Sequence, residues 1–105
     1  MRISIICVGK IKEKFYRDAI DEYAKRLSKY CKLDIVEVAD EKTPDNASLA
    51  CEEQIKAKEA QRIMSKIKDD TYVCTLEILG KKYTSEGFAA MLEQAAIGGK
   101  SHIAF

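Results

Sequence analysis

At 105 residues, with 47% hydrophobic and 33% charged side chains, the chain has the composition of one soluble globular domain and is unlike a disordered segment. No apolar run approaches the roughly 20 residues that cross a bilayer, and Arg2 leads straight into ISIICVG with no cleavage site behind it, so a cytoplasmic protein without membrane contact is expected. The net charge of +1 excludes nothing alone, but residues 1–32 hold nine Lys/Arg against four Asp/Glu, and residues 33–80 hold six against eleven.

Ile3 to Val8 is a near-continuous apolar run ending at Gly9, which predicts a strand buried on both faces. Phe15, Ala19, Tyr23, Leu27 and Tyr30 recur at helical spacing and predict a helix over about 12–30 with that stripe turned to the core. LDIVEVA (33–39) reads as a second strand, and DEKTPDNAS, with the only proline, reads as a loop. A helix follows over about 49–68, capped by Asn46 or Ser48, with a thin stripe of Ile55, Ala60, Ile63, Met64 and Ile67. Glu52–Lys56 and Glu59–Arg62 have the spacing of ion pairs on its solvated face.

TYVCTLEIL (71–79) is the most strand-like segment, and Gly80–Lys82 make a turn after it. Thr84 or Ser85 caps a short helix carrying Phe88, Met91, Leu92 and Ala95, which Gly98 closes as a left-handed residue. His102–Phe105 opens a fourth strand. The order β-α-β-α-β-α-β specifies an α/β fold, one domain over residues 1–105, with a parallel sheet, flanking helices and right-handed crossovers. Ligands of such sheets sit beyond the carboxyl ends of the strands, near Gly9–Lys10, Ala39–Glu41, Glu77–Lys81 and Phe105.

Several functions of α/β folds lack their motifs here. G-x-G-x-x-G, G-x-x-x-x-G-K-[ST] and G-x-S-x-G do not occur, and no acidic pair follows the first strand. Cys7, Cys31, Cys51 and Cys74 lie far apart with no metal-ligand spacing, so reduced thiols and no metal are expected. His102, the single histidine, reads as a structural strand-edge residue, with a general-base role as the alternative. Glu77 is an acid within an apolar run, so it lies near an exposed strand end or has partners there. Lys10, Lys12, Lys14 and Arg17 surround Phe15 and Tyr16. A basic stretch with aromatics can grip an RNA backbone, and it can equally be the solvated first turn of a helix.

ISIICVGKIKEKFYRDAIDEYAKRLSKY, LDIVEVADEK, KEAQRI and above all TLEILGK together resemble the large-subunit ribosomal RNA pseudouridine methyltransferases of the SPOUT superfamily, in register from Met1 to Phe105. The resemblance implies a SPOUT-like sheet continued by a knotted segment, S-adenosylmethionine as methyl donor, and methylation of N3 of a pseudouridine in 23S rRNA of the assembled ribosome by a homodimer. It places Leu76 on the methyl donor, with Glu77, Gly80 and Lys81 in the same loop. In the family the strand begun by SHIAF runs into a glycine-rich loop and a C-terminal helix, and these supply most of the donor pocket, the knot and the dimer contact. The 105 residues alone are therefore expected to be inactive, marginally stable and prone to self-association. The alternative is a non-catalytic RNA- or ribosome-binding α/β module docking through residues 10–17.

Overall fold

Each apolar run becomes a strand of one parallel sheet, and each amphipathic stretch becomes a crossover between strands. The computed structural model describes residues 1–105 as β1 (Arg2–Val8), α1 (Lys14–Leu27), β2 (Lys32–Val38), α2 (Leu49–Met64), β3 (Tyr72–Val73), α3 (Ser85–Ile97) and β4 (His102–Ala104). The strand order is β2-β1-β4-β3 and every pair is parallel. The β1–β2 ladder runs unbroken from Arg2↔Lys32 to Val8↔Val38. The last strand is internal: β4 pairs with β1 from Arg2↔His102 to Ser4↔Ala104 and with β3 through Tyr72↔Ile103. Ile6 N–H donates to the Phe105 carbonyl at 2.7 Å and carries the first of these ladders one step further.

The crossovers from β1 to β2 and from β3 to β4 move in one direction across the sheet, and the crossover from β2 to β3 moves in the other. With right-handed connections, α1 and α3 share one face and α2 covers the opposite one. The Phe88 ring of α3 accordingly meets Phe105 at 5.7 Å. Ile63 and Ile67, in and just beyond α2, lie beside Ile6 and Ala104 on the other face.

Helix ends follow local chemistry. Ser48, not Asn46, caps α2 by accepting from Cys51 N–H at 3.1 Å, and Thr84 caps α3 by accepting from Gly87 N–H at 3.0 Å. At the end of α3 the left-handed residue is Gly99 (φ +87), not Gly98 (φ −74). Lys100 N–H reaches the Ala95 carbonyl and Gly99 N–H the Ala96 carbonyl, which is the paired bonding of a Schellman motif.

Three expectations fail because each depends on which neighbour covers or pairs with a segment. Ile5 and Val8 remain 38% exposed, so β1 is not buried on both faces. The α1 stripe predicted to face the core points outward: Phe15, Tyr23 and Tyr30 are 65%, 64% and 77% exposed, while Ile20 and Ala24 are half-buried and line clefts shared with β2. Of the run 71–79, only Tyr72 and Val73 pair as strand, followed by a Cys74 N–H bond to the Ala104 carbonyl at 2.8 Å. Beyond that point no strand lies alongside, and a lone strand cannot satisfy its own backbone.

The core is correspondingly small. Val38, Ile103, Ala104 and Ser4 are the buried residues, and Ile103 is fully enclosed. The accessible surface is 8666 Å², against about 5,900 Å² for a compact chain of this mass. The radius of gyration is 16.0 Å, against about 13 Å for a compact domain of this size.

Candidate functional site

The carboxyl edge of the sheet gathers the sequence-predicted residues. At the end of β1, Gly9 takes a left-handed turn (φ +84) while its N–H donates to the Val38 carbonyl at 2.8 Å. Glycine adopts that φ without strain, so the chain can leave the sheet sharply and set residues 10–13 along its edge. Lys10 and Lys12 are exposed there and pair with no carboxylate. Lys14 is committed to Asp18 at 2.8 Å in the first turn of α1. Arg17, also exposed, lines an open cleft of about 270 Å³ with Cys7, Asp21 and Glu37. The rings of Phe15 and Tyr16 lie 4.4 Å apart on the exposed side.

The segment after β3 forms the second part. Leu76 lines an open cleft of about 280 Å³ with Ile6, Ile63, Val73, Ala104 and Phe105, at the ends of β1, β3 and β4. Leu76 is 84% exposed, and Ile78 and Leu79 are 95% and 96% exposed. Glu77 and Gly80 are not in the cleft wall; they close the turn beside it, where Gly80 N–H donates to the Glu77 carbonyl at 3.1 Å. A Cβ on Gly80 would lie 3.1 Å from that carbonyl oxygen, so a larger residue requires the turn to give by a few tenths of an ångström. Glu77 is thus an exposed acid beyond the strand end, one of the two positions its chemistry permitted. Lys81 follows, its Nζ 5.1 Å from the centre of the Tyr83 ring.

A third group ties the β2–α2 loop to α2. Arg62 binds the Glu41 carboxylate and, at 3.1 Å, the Ala39 carbonyl, while Glu59 accepts from Glu41 N–H at 3.0 Å. Lys58 adds a contact to Glu41 at 3.6 Å. The Arg62 hydrogen bond, helped by the charges of Arg62 and Lys58, holds the Glu41 carboxyl below its ordinary range. The expected Glu59–Arg62 and Glu52–Lys56 pairs are not made, because Arg62 is taken by Glu41 and Lys56 pairs with Glu53.

Periodicity did not reveal the polar group at the opposite, amino edge. His102 Nε2 lies 2.7 Å from Ser4 Oγ and its Nδ1 lies 3.4 Å from Thr71 Oγ1. Beside them Arg2 Nε donates to Asp34 at 2.7 Å. Ser4 is buried, so its hydroxyl is a bridge between strands and is not presented as a nucleophile. These residues come from β1, β2, β4 and the turn before β3, and only the sheet register aligns them. Burial raises the thiols of Cys7 and Cys74, Cys7 also through Glu37, and all four cysteines are free. No group of three or more His, Cys, Asp or Glu side chains is placed to hold a metal ion, and no helix is long and apolar enough to cross a membrane.

The Leu76 cleft can be tested against the methyl donor implied by the sequence resemblance. Eight of its nine lining residues are hydrophobic and Thr75 is the single polar one. This wall fits the apolar surfaces of a nucleoside sulfonium, while a ligand of that kind also needs several convergent polar groups.

Comparison with known proteins agrees with the fold. The family profile described as "Predicted SPOUT methyltransferase" matches residues 1–105. The chain is 61% identical over all its residues to the ribosomal RNA large subunit methyltransferase H of Clostridium botulinum (strain Hall), of which it covers 66%. It is 58% identical to the protein of that name from Clostridium beijerinckii, again covering 66% of it. With the Bifidobacterium adolescentis protein it shares 58% identity over 103 residues, which are 98% of this chain and 65% of that protein. The chain thus spans just under two thirds of the length of these relatives. With a parallel α/β sheet and a profile match along its whole length, the chain belongs to the SPOUT methyltransferase family.

Proposed function

We propose that this chain is the scaffold part of an rRNA methyltransferase that uses S-adenosylmethionine to methylate N3 of a pseudouridine in 23S rRNA of the assembled ribosome. The observation that carries the reading is the placement of Leu76, in a sequence shared with proteins named for large-subunit rRNA methylation, on an apolar cleft at the carboxyl ends of β1, β3 and β4. The donor would supply an electrophilic methyl group on sulfur. In this chain Leu76, Val73 and Ile63 would back its apolar surface and exclude water, with Glu77 and Gly80 shaping the loop at its side. Methyl transfer would form the N3–CH3 bond as the S–CH3 bond breaks, leaving the donor as a neutral thioether and passing the N3 proton to water. Fixing the acidic N3 against the methyl group accounts for catalysis chiefly through orientation.

Lys10 and Lys12, exposed and unpaired at the same edge, would hold RNA phosphates together with Arg17, with Lys14 contributing less because it already pairs with Asp18. The outward stripe of Phe15, Tyr23 and Tyr30 on α1 supports a homodimer, since exposed apolar stripes of that kind are covered in a working assembly. A protein acting on ribosomes in this way works in the cytoplasm. Residues 1–105 alone are inactive in this reading, because one apolar wall does not hold the polar ends of the donor.

The test is methyl transfer from radiolabelled S-adenosylmethionine to assembled ribosomes. It compares residues 1–105 with a chimaera that joins them to the remaining third of the Clostridium botulinum relative. Transfer by the chimaera alone is expected, with label at a pseudouridine N3. A folded chimaera that transfers nothing overturns the reading, and transfer by residues 1–105 overturns the claim that they are inactive. The free ammonium groups of Lys10 and Lys12 also favour a second reading, a ribosome-binding module without catalysis. Salt-sensitive ribosome binding by a chimaera without transferase activity would select it.

A further inference from the structure

The cleft at the amino edge has no role in that reaction. It is a broad open trough of about 450 Å³ on the α2 face of the sheet, lined in part by Arg2, Ser4, Asp34, Lys66, Lys68 and His102. Three permanent cations and an imidazole therefore face one carboxylate, and that carboxylate is already used. Asp34 accepts from Arg2 Nε at 2.7 Å, which leaves the two terminal nitrogens of Arg2 without a partner in the chain. The Arg2 hydrogen bond, with the charges of Arg2, Lys32 and His102, holds Asp34 below its ordinary range, the mark of a locally positive field.

Lys66 and Lys68 make no ion pair. They follow the end of α2, where cations commonly compensate bare carbonyls, but that need is already met. Ser65 N–H and Oγ serve the Gln61 and Arg62 carbonyls, Lys66 N–H serves Ile63 and Ile67 N–H serves Met64. The nearest further acids in sequence, Asp69 and Asp70, do not line the trough and pair with no cation. The two ammonium groups and the free end of the Arg2 fork are thus surplus positive charge at an open site.

We propose that this trough binds a phosphate group on Arg2, Lys66 and Lys68, with His102 beside it, and that the phosphate belongs to an RNA backbone. An arginine fork with flanking ammonium groups matches the charge and oxygen geometry of a phosphate. The openness of the trough suits a strand passing through better than an enclosed small anion. β1 runs seven residues, so this edge lies about 23 Å from the Lys10–Lys12 edge, and the trough would take a separate stretch of the RNA. The RNA assignment rests on the rRNA reading above, whereas the phosphate site rests on the charge arrangement alone.

The experiment follows binding of a fluorescein-labelled 20-nucleotide RNA hairpin by the whole chain at about 50–200 mM salt. Lys66→Glu with Lys68→Glu is expected to weaken binding about tenfold and to reduce the log–log salt slope by about one, as loss of one phosphate contact does. Lys56→Glu, an exposed α2 control, stays within about twofold. A double variant that binds RNA like the parent overturns the RNA assignment. In parallel, inorganic phosphate is titrated while the NMR signals of Arg2 Nε–H and the His102 ring are followed. Shifts with both phosphate and RNA, abolished in the double variant, support the site. Shifts with phosphate but not RNA overturn the RNA source, and no shift with either overturns the site. Methyl transfer by the chimaera carrying both Glu substitutions reports separately on the function proposed above.

Discussion

Ser4 on β1 and His102 on β4 meet at 2.7 Å, Oγ to Nε2, joining the two central strands across 98 positions of sequence. Their side chains share a face because Arg2 is paired with His102 and Ser4 with Ala104 in the same parallel ladder. The bond therefore reports directly on whether β4 is docked inside the sheet.

Ser4→Ala leaves the half-buried imidazole nitrogen without its partner. The cost is expected to be about 1–3 kcal/mol, a drop in Tm of at least about 4 °C for a domain of this size. Urea unfolding of the variant measures it, and an unchanged midpoint would show that the bond does not hold the strand.

Acid sensitivity follows from Asp34 and Glu41. Both carboxyls are held below their ordinary values in the folded chain, by Arg2 and by Arg62 respectively. A lowered folded value means that the contribution is present above the unfolded value, near pH 4, and is lost as pH falls through the folded one. Urea midpoints are expected to fall on acidification below about pH 4, modestly because both pairs are partly solvated. Arg62→Met is expected to fall less steeply, because Glu41 then titrates nearer its ordinary value. Equal slopes in the two proteins would contradict the assignment.

The Schellman turn makes Gly99 the more sensitive of two adjacent glycines. Gly99→Ala places a side chain at φ +87, whereas Gly98 sits at φ −74 with only the Gln94 carbonyl crowding a Cβ at 3.3 Å. A loss of about 1 kcal/mol is expected for Gly99→Ala and less for Gly98→Ala. Paired thermal melts give the order.

Ile78 and Leu79 lie almost wholly in water. Replacing both by serine removes no packing, so stability should change by less than about 0.5 kcal/mol. Self-association driven by this loop should decrease. Sedimentation velocity at rising concentration, set beside a melt, separates the two effects.

At the carboxyl edge, Lys10→Glu with Lys12→Glu is expected to weaken ribosome binding about tenfold and flatten its salt dependence. Lys14→Glu is expected to do less, because Lys14 is already engaged with Asp18. Filter binding at two salt concentrations distinguishes them.

Much of the fold was legible in the residues themselves. The strand–helix alternation, the caps at Ser48 and Thr84, and the turn at Gly80 are set by interactions within a few positions, which a sequence displays directly. Leu76 is singled out only through the resemblance of TLEILGK to a family, since nothing in its spacing marks it as different from Leu79. The outward turn of the α1 stripe was not legible, because periodicity finds an apolar face without saying which layer covers it. Ile20 and Ala24 supply a smaller face, and that face meets the sheet.

By itself, then, the sequence determined the order of elements, the short list of candidate cap residues and, through shared segments, the family. Tertiary structure decided the rest. It set β4 between β1 and β3, ended the third strand at Val73, and drew Arg62 to Glu41 away from its helical neighbour. It also brought Arg2, Lys66, Lys68 and His102 around one trough. Each of these depends on residues tens of positions apart. Such partners are chosen by sheet register and by which surfaces find a covering layer, and neither is encoded in a local run of side chains.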